Sequence, residues 1–481
     1  MIFRRLHKKY SELFALQEWS ECSGVRNLLV VLYIHLGAFL VYTERAYVGS
    51  SLPEKVNKLV CPPYFQNCGQ WNQLLTLPDG WGYELWVTFL FTTYFLSLVF
   101  FIKKQWVLVH ISLFFLFLWK MAAQWLLSYS ILFEYAYFSD VFFFIVLFFR
   151  NRFKLSQWAL SLLYLLAAKV KFTDSWILGT YFTSSKVGIP LITDTWIPIA
   201  SQSVILLELI GPFFLLFGNR KVKQWACIAF LFFHIFSVPI IGVGFPIYVL
   251  PLLYTLFIME NSSTTPHSPS FFQKTLASAV FVFLFLVSLV QWAIPGDERY
   301  TQEGRGIGSA MIDANHQCKV EIWDNKSTQE MSPEEYTYSR ASNRCWTYAI
   351  WFKERYRCME SKTIGLKIYH SINSGPMYRI VNEPNICKLS YKAFSHNDWI
   401  ETPNDSTTHL GYPPPNLYRT ELDQQEIVYT ESPQTRPSGT QSLLQPHLRT
   451  LSKSLMFVWW LLILFYFYAF INHFWIRKNK T

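Results

Sequence analysis

Repeated apolar runs, each about as long as a bilayer core is thick, limit what this chain can fold into. "LLVVLYIHLGAFLVY" from Leu28, "ELWVTFLFTTYFLSLVFFI" from Glu84 and "LASAVFVFLFLVSLVQWAI" from Leu276 are examples. About 20 such residues cross the hydrocarbon as α-helix, which satisfies its own backbone polar groups where no water can. With 52% of residues apolar, 19% aromatic and 15% charged, the composition fits a polytopic membrane protein and not a soluble domain. The opening "MIFRRLHKKYSELFALQEWSE" is basic and amphipathic and lacks a small-residue cleavage site, so it does not read as a cleavable signal peptide.

A formal charge of +10 would suggest a nucleic-acid partner, but the positives lie between the apolar runs. They fall at Arg4, Arg5, Lys8 and Lys9, at Lys103 and Lys104, at Arg150, Arg152 and Lys154, at "NRKVK" and at the final "RKNK". With the amino terminus in the cytoplasm, the positive-inside rule puts all of them inside. About ten spans follow, at about 27–45, 84–102, 106–128, 130–149, 154–171, 197–217, 224–241, 244–259, 275–294 and 455–474. A polar region of roughly 160 residues between the last two lies outside. Cysteine usage agrees: Cys61, Cys68, Cys318, Cys345, Cys358 and Cys387 fall outside, Cys22 and Cys227 inside or in the membrane. An even number on the oxidising side suits disulfides, whose pairing the sequence leaves open. The sequons at Asn325 and Asn404 face out and that at Asn261 faces in.

The expected architecture is therefore an all-α polytopic membrane bundle with an extracytoplasmic α+β domain. Residues 1–295 form the membrane domain, 296–400 the outer domain, 401–452 a Pro/Ser/Thr-rich tether, and 453–481 the last span and basic tail. In the outer domain "CKVEIWD" (318–324) and "LKIYHSI" (366–372) alternate apolar and polar residues as strands do, while "RCWTYAIWFKERYR" (344–357) has helical spacing.

The chemistry-bearing candidates begin with "KVKFTDSW" (169–176), at the outer end of the fifth span. In one reading Lys169 and Lys171 snorkel to the headgroups and Trp176 sits in the interfacial aromatic belt. In the other, a lysine kept neutral by apolar surroundings acts as a general base. Glu208 in "LLELIGPFF", His234 in "FFHIFSVPI" and Asp140 in "YFSDVFFF" are polar groups in other spans. Each could be an interhelical contact or, together, one cavity that Pro212 and Pro246 help to open. No metal-ligand spacing, nucleophile elbow, P-loop or dinucleotide fingerprint is present.

"KVKFTDSWILG", "LELIGPFFLLF" and "HIFSVPIIGVGFPIYVL" follow one another as in the vitamin K-dependent gamma-carboxylase family, also described as the horizontally transferred transmembrane domain family. "YTQEGRGIGSAMIDANHQCKVEIWD" (300–324) resembles the family's Glu-Gly segment before a strand, and "LKIYHSINSGPMYRIVNEPNICKL" (366–389) its strand-turn-strand. The resemblance covers roughly 27–395, in diffuse motifs. It implies an enzyme using reduced vitamin K-type naphthoquinone, O2 and CO2, with no metal. A lysine deprotonates the quinol, and oxidation to the epoxide generates a base that removes a γ-proton from a peptide glutamate, whose carbanion takes up CO2. Such chemistry needs a dry cavity, a membrane and a neutral lysine.

By the resemblance the catalytic lysine falls on Lys171, five residues before Trp176, leaving Lys169 interfacial. Trp176 and Asp174 shape the cavity mouth, His234 matches a histidine and Glu208 an acidic position. Where the family has an Asn-His pair for the carbanion step, this chain reads Phe138-Ser139-Asp140. A carboxylate there would repel a carbanion unless protonated, so the expectation is that quinol oxidation is kept while carboxylation is altered or lost. Glu383 and Cys387 stand where the family's turn has aspartates. The implied partners are the lipid membrane and a glutamate-containing peptide or secreted protein, with no nucleic acid. Two alternatives remain: another quinol- and oxygen-dependent peptide modification, and a non-enzymatic quinone- or lipid-binding protein.

Overall fold

The computed structural model describes residues 2–48, 81–124, 134–183, 189, 191–193, 195–241, 243–259, 269–304, 316–324, 328–330, 358, 363–372, 378–392, 394–402 and 439–476. The chain begins α1 (Ile2–Leu13), α2 (Gln17–Glu21), α3 (Ser23–Val48), α4 (Trp81–Ile102), α5 (Trp106–Ala122), α6 (Glu134–Phe148) and α7 (Arg152–Ala168). It continues α8 (Asp174–Ile177), α9 (Thr180–Thr183), α10 (Ile197–Phe217), α11 (Arg220–Ile241), α12 (Gly244–Leu253), α13 (Phe271–Ser288), α14 (Val290–Ala293) and α15 (Glu298–Thr301). Strands β1 (His316–Asp324), β2 (Thr328–Glu330), β3 (Ile364–Ile372) and β4 (Tyr378–Glu383) precede α16 (Gly439–Leu444) and α17 (Leu448–Ile471).

The molecule is mostly helical, and its apolar helices mark it as a membrane protein. Among the described residues, five helical stretches are long and apolar enough to cross a bilayer: Ser23–Val41, Ile197–Phe217, Arg220–Ile240, Phe271–Ser288 and Gly439–Ile476. Trp106–Ala122, Phe138–Phe148 and Gly244–Ile258 are apolar but shorter, and Val87–Ile102 is an apolar stretch within the 22-residue α4. The difference from ten equal spans has a physical reason at α7. This helix is buried on every side, including Arg152, Gln157 and Tyr164, so its surroundings are other helices and its sequence can be mixed. By contrast Phe283 on α13 and Phe232 on α11 are 63% and 68% exposed, as lipid-facing side chains should be.

Around α7 pack α3, α6, α10, α13 and α17. Side-chain donors from α17 reach the α7 backbone: Trp459 Nε1 to the Leu165 carbonyl at 2.6 Å and Tyr466 Oη to that of Trp158 at 2.7 Å. At the other end of α7, Arg152 donates to the carbonyls of Val146, Ala15 and Phe14 and pairs with Glu18 at 2.6 Å. The arginine thereby ties the α1–α2 turn to the bundle and satisfies carbonyls that helix ends leave open.

Helix α17 begins at Leu448 and is preceded by α16 at Gly439, so residues 439–452, which the composition assigns to the tether, are helical. Pro212 lies inside α10, whereas Pro246 sits in the first turn of α12, where no intrahelical N–H is lost and the helix is not opened. The sequon asparagines, Cys61, Cys68, Cys345 and the segment 344–357 lie outside the described residues.

The strands form one antiparallel sheet in the order β2-β1-β3-β4. Val320 and Ile322 of β1 face Ile368 and Leu366 of β3, and all four are buried, matching the alternation read from "CKVEIWD" and "LKIYHSI". Their apolar cluster continues into Trp176, Phe182, Ile189 and Ile197. The sheet thus shares one core with the α8–α10 end of the helices. Cys358 and Cys387 form a disulfide, while Cys22 and Cys227 are free and buried.

Candidate functional site

Helix α7 tightens into a 3₁₀ turn at Lys169–Lys171. Lys171 Nζ reaches back to the Ala167 carbonyl at 3.2 Å, capping the helix end. It also meets the Glu208 carboxylate of α10 at 2.6 Å and lies 5.3 Å from the centroid of the Trp176 ring. Lys171 and Glu208 are 5% and 3% exposed. Burying such a pair is tolerable only with close geometry and further hydrogen bonds, and both are present.

Two turns back on α7, Tyr164 Oη and His234 Nε2 of α11 share a hydrogen bond of 2.7 Å. The Tyr164 ring packs on Phe230 at 4.2 Å and the His234 ring near Phe245 at 5.4 Å. His234 Nδ1 has no hydrogen-bond partner among the described residues. The imidazole and the Lys171 ammonium are close enough to interact electrostatically. Lys171 thus meets Glu208 and Trp176, and the Tyr164–His234 pair lies within electrostatic reach of them.

No protein-family model, curated protein or solved structure matches the chain. The site therefore stands on its own geometry.

Asp140 does not join it. Its carboxylate pairs with the buried ammonium of Lys120, which also donates to Gln124 at 2.9 Å and lies 5.0 Å from the Phe39 ring centroid. Phe138, two residues before Asp140, meets Phe245, the ring near His234, at 5.6 Å. Asp174 is buried at the first position of α8. Lys169 does not snorkel: it is 3% exposed, with its ammonium 4.6 Å from the centroid of Trp292. Among the described residues no group of three His, Cys, Asp or Glu side chains could hold a metal ion.

Two functional-looking residues escape sequence reasoning. Lys120 had a signal, a lone cation within "FFLFLWKMAAQ", since a charge in an apolar run needs a partner. Tyr164 had none: it is one of 27 tyrosines.

Proposed function

We propose that the chain is a membrane enzyme of the vitamin K-dependent gamma-carboxylase type, with reduced naphthoquinone, O2, CO2 and a peptide glutamate as its substrates. The observation that carries this reading is the buried Lys171–Glu208 pair, 2.6 Å apart. Moving one proton from the ammonium to the carboxylate leaves an amine lone pair beside a neutral acid, which is the form a general base needs. Glu208 is thus the group that takes and returns the proton of Lys171.

Tyr164 fixes the His234 ring through Nε2, leaving Nδ1 to face a substrate oxygen. The rings of Phe230, Phe245 and Trp176 exclude water from these groups. Flat aromatic walls with two separated polar atoms, Lys171 Nζ and His234 Nδ1, fit an apolar aromatic diol. Such a quinol, oxidised by O2, supplies the strong base that the side chains lack.

A second reading, a quinol- and oxygen-dependent peptide modification without carboxylation, is favoured by one observation. Asp140 is neutralised by Lys120 where the family's carbanion-handling histidine would stand. A quinone- or lipid-binding protein without turnover is the third. In the proposed orientation the amino terminus is cytoplasmic and ten helices cross the membrane. The sheet then lies on the extracytoplasmic or lumenal side, which the Cys358–Cys387 disulfide supports.

The test uses purified protein in lipid nanodiscs with reduced naphthoquinone, bicarbonate, oxygen and a glutamate-rich peptide, followed by mass spectrometry. Quinone epoxide and a peptide heavier by one CO2, both lost in Lys171→Ala, are expected. Epoxide without carboxylated peptide would select the second reading. Neither product from folded protein would leave the third.

A further inference from the structure

Five lysine and arginine side chains are buried among the described residues: Lys120, Arg152, Lys169, Lys171 and Arg299. Four are ion-paired, with Asp140, Glu18, Glu208 and Asp297 respectively. Lys169 is the exception. Its Nζ makes no hydrogen bond among the described residues. It has the face of Trp292 at 4.6 Å and feels the charge of Glu298 without touching it.

A buried ammonium with its donors unmet is costly, by several kcal/mol. Stacking over an indole returns about 0.5–2 kcal/mol. The remainder is a standing attraction for an anion. The 3₁₀ turn sends Lys169 towards α14 and Lys171 towards α10, so the two ammonium groups serve different partners. Residues 291–301 lead from the bundle to the sheet, where the Tyr300 carbonyl meets His370 Nδ1 at 2.7 Å. Lys169 thus sits at the seam between helices and sheet. At 3% exposure its ammonium is buried within that seam.

We propose that Lys169 is an anion-recognition residue that receives a carboxylate from an acidic peptide entering at this seam, with Trp292 as the wall behind it. The choice of peptide rests on the carboxylase reading, whereas the lack of a hydrogen-bond partner for Nζ among the described residues does not. Lys169 here binds and does no chemistry, which is left to Lys171.

The test measures binding of fluorescent hexaglutamate to the full chain in phosphatidylcholine nanodiscs, without quinol or oxygen. Wild type is expected to bind, and Lys169→Met to bind at least ~tenfold more weakly, as for a lost charged hydrogen bond. Lys169→Arg should retain binding. Unliganded Lys169→Met should melt no lower than wild type, because it removes an unpaired buried charge.

Absence of hexaglutamate binding to wild type, or equal binding by Lys169→Met, overturns the proposal. So does a lowered melting temperature for Lys169→Met, which would make the lysine a structural mate of Glu298. Native mass spectrometry in phosphatidylglycerol nanodiscs supplies the other arm. Lipid retained by wild type and lost in Lys169→Met, with no peptide bound, would assign the site to a lipid phosphate and overturn the peptide. Lys169-dependent binding without turnover would remove the carboxylase reading and leave this site standing; turnover without Lys169-dependent binding would do the reverse.

Discussion

Lys171 and Glu208 are each other's main polar partner, so the loss of one is felt through the other. Lys171→Met strands a buried carboxylate, and Glu208→Met strands a buried ammonium. Each single change should destabilise by about 3–5 kcal/mol, and the double change by less than their sum, because an apolar pair replaces an ionic one. Thermal melts of the four proteins in one detergent check this; additive losses would mean that the 2.6 Å contact contributes no coupling. The same pair sets how much of the site the sequence revealed. Lys171, Glu208, His234 and Trp176 stand out as polar or interfacial residues in apolar runs; Lys171 meets Glu208 and Trp176, while His234 bonds Tyr164. Asp140 stood out for the same reason and belongs elsewhere, because nothing in its local sequence names Lys120 as its partner. A span tells which residues need company, and only the packing of helices tells which company they find.

At the scale of elements, the approach of α10 to α11 controls the site from behind. A Cβ on Gly211 would come 2.6 Å from Phe230 Cε2, and Phe230 carries the ring on which Tyr164 packs at 4.2 Å. Gly211→Val should therefore destabilise by about 1–3 kcal/mol through overpacking. It should also disturb the Tyr164–His234 bond without touching Lys171. Melting temperature and turnover measured together test this, and unchanged turnover would separate His234 from the chemistry. Helix positions were legible because the length of an apolar run is set by the bilayer. Helix α16 was hidden by the polar composition of "GTQSLLQPH", which reads as a loop although Gln441 donates to the Leu178 carbonyl at 2.9 Å. The strands β1 and β3 were legible through alternation, while the three residues of β2 are too few to show a period.

For the whole molecule, the sheet and the helices share a core but answer to different conditions. Cys358 and Cys387, 29 residues apart, close a loop that stabilises by roughly 3 kcal/mol. Cys358→Ser/Cys387→Ser should lower a sheet-associated transition and leave the helical one in place, a difference that proteolysis at rising temperature reads. Glu298, half-buried and outside the apolar helices, is held above its ordinary value of 4.5 by burial first and by Asp297 second. Its folded value is raised, so its contribution is fully present below the unfolded pKa and is lost as pH rises through the folded one. Wild type should thus lose stability from about pH 4.5 upward relative to Glu298→Gln. Parallel slopes for the two proteins would exclude this group as the cause.

The stapling of α17 to α7 bears on how the protein is made. Ser452, Trp459 and Tyr466 hold backbone carbonyls that lie 280, 294 and 308 residues earlier. While those residues are still being translated, the helix that leads into Lys171 has already been made and lacks its last neighbour, open along one side. Until α17 arrives, that open side is a surface for an insertase or chaperone to guard, and a stalled ribosome would leave it for quality control to recognise.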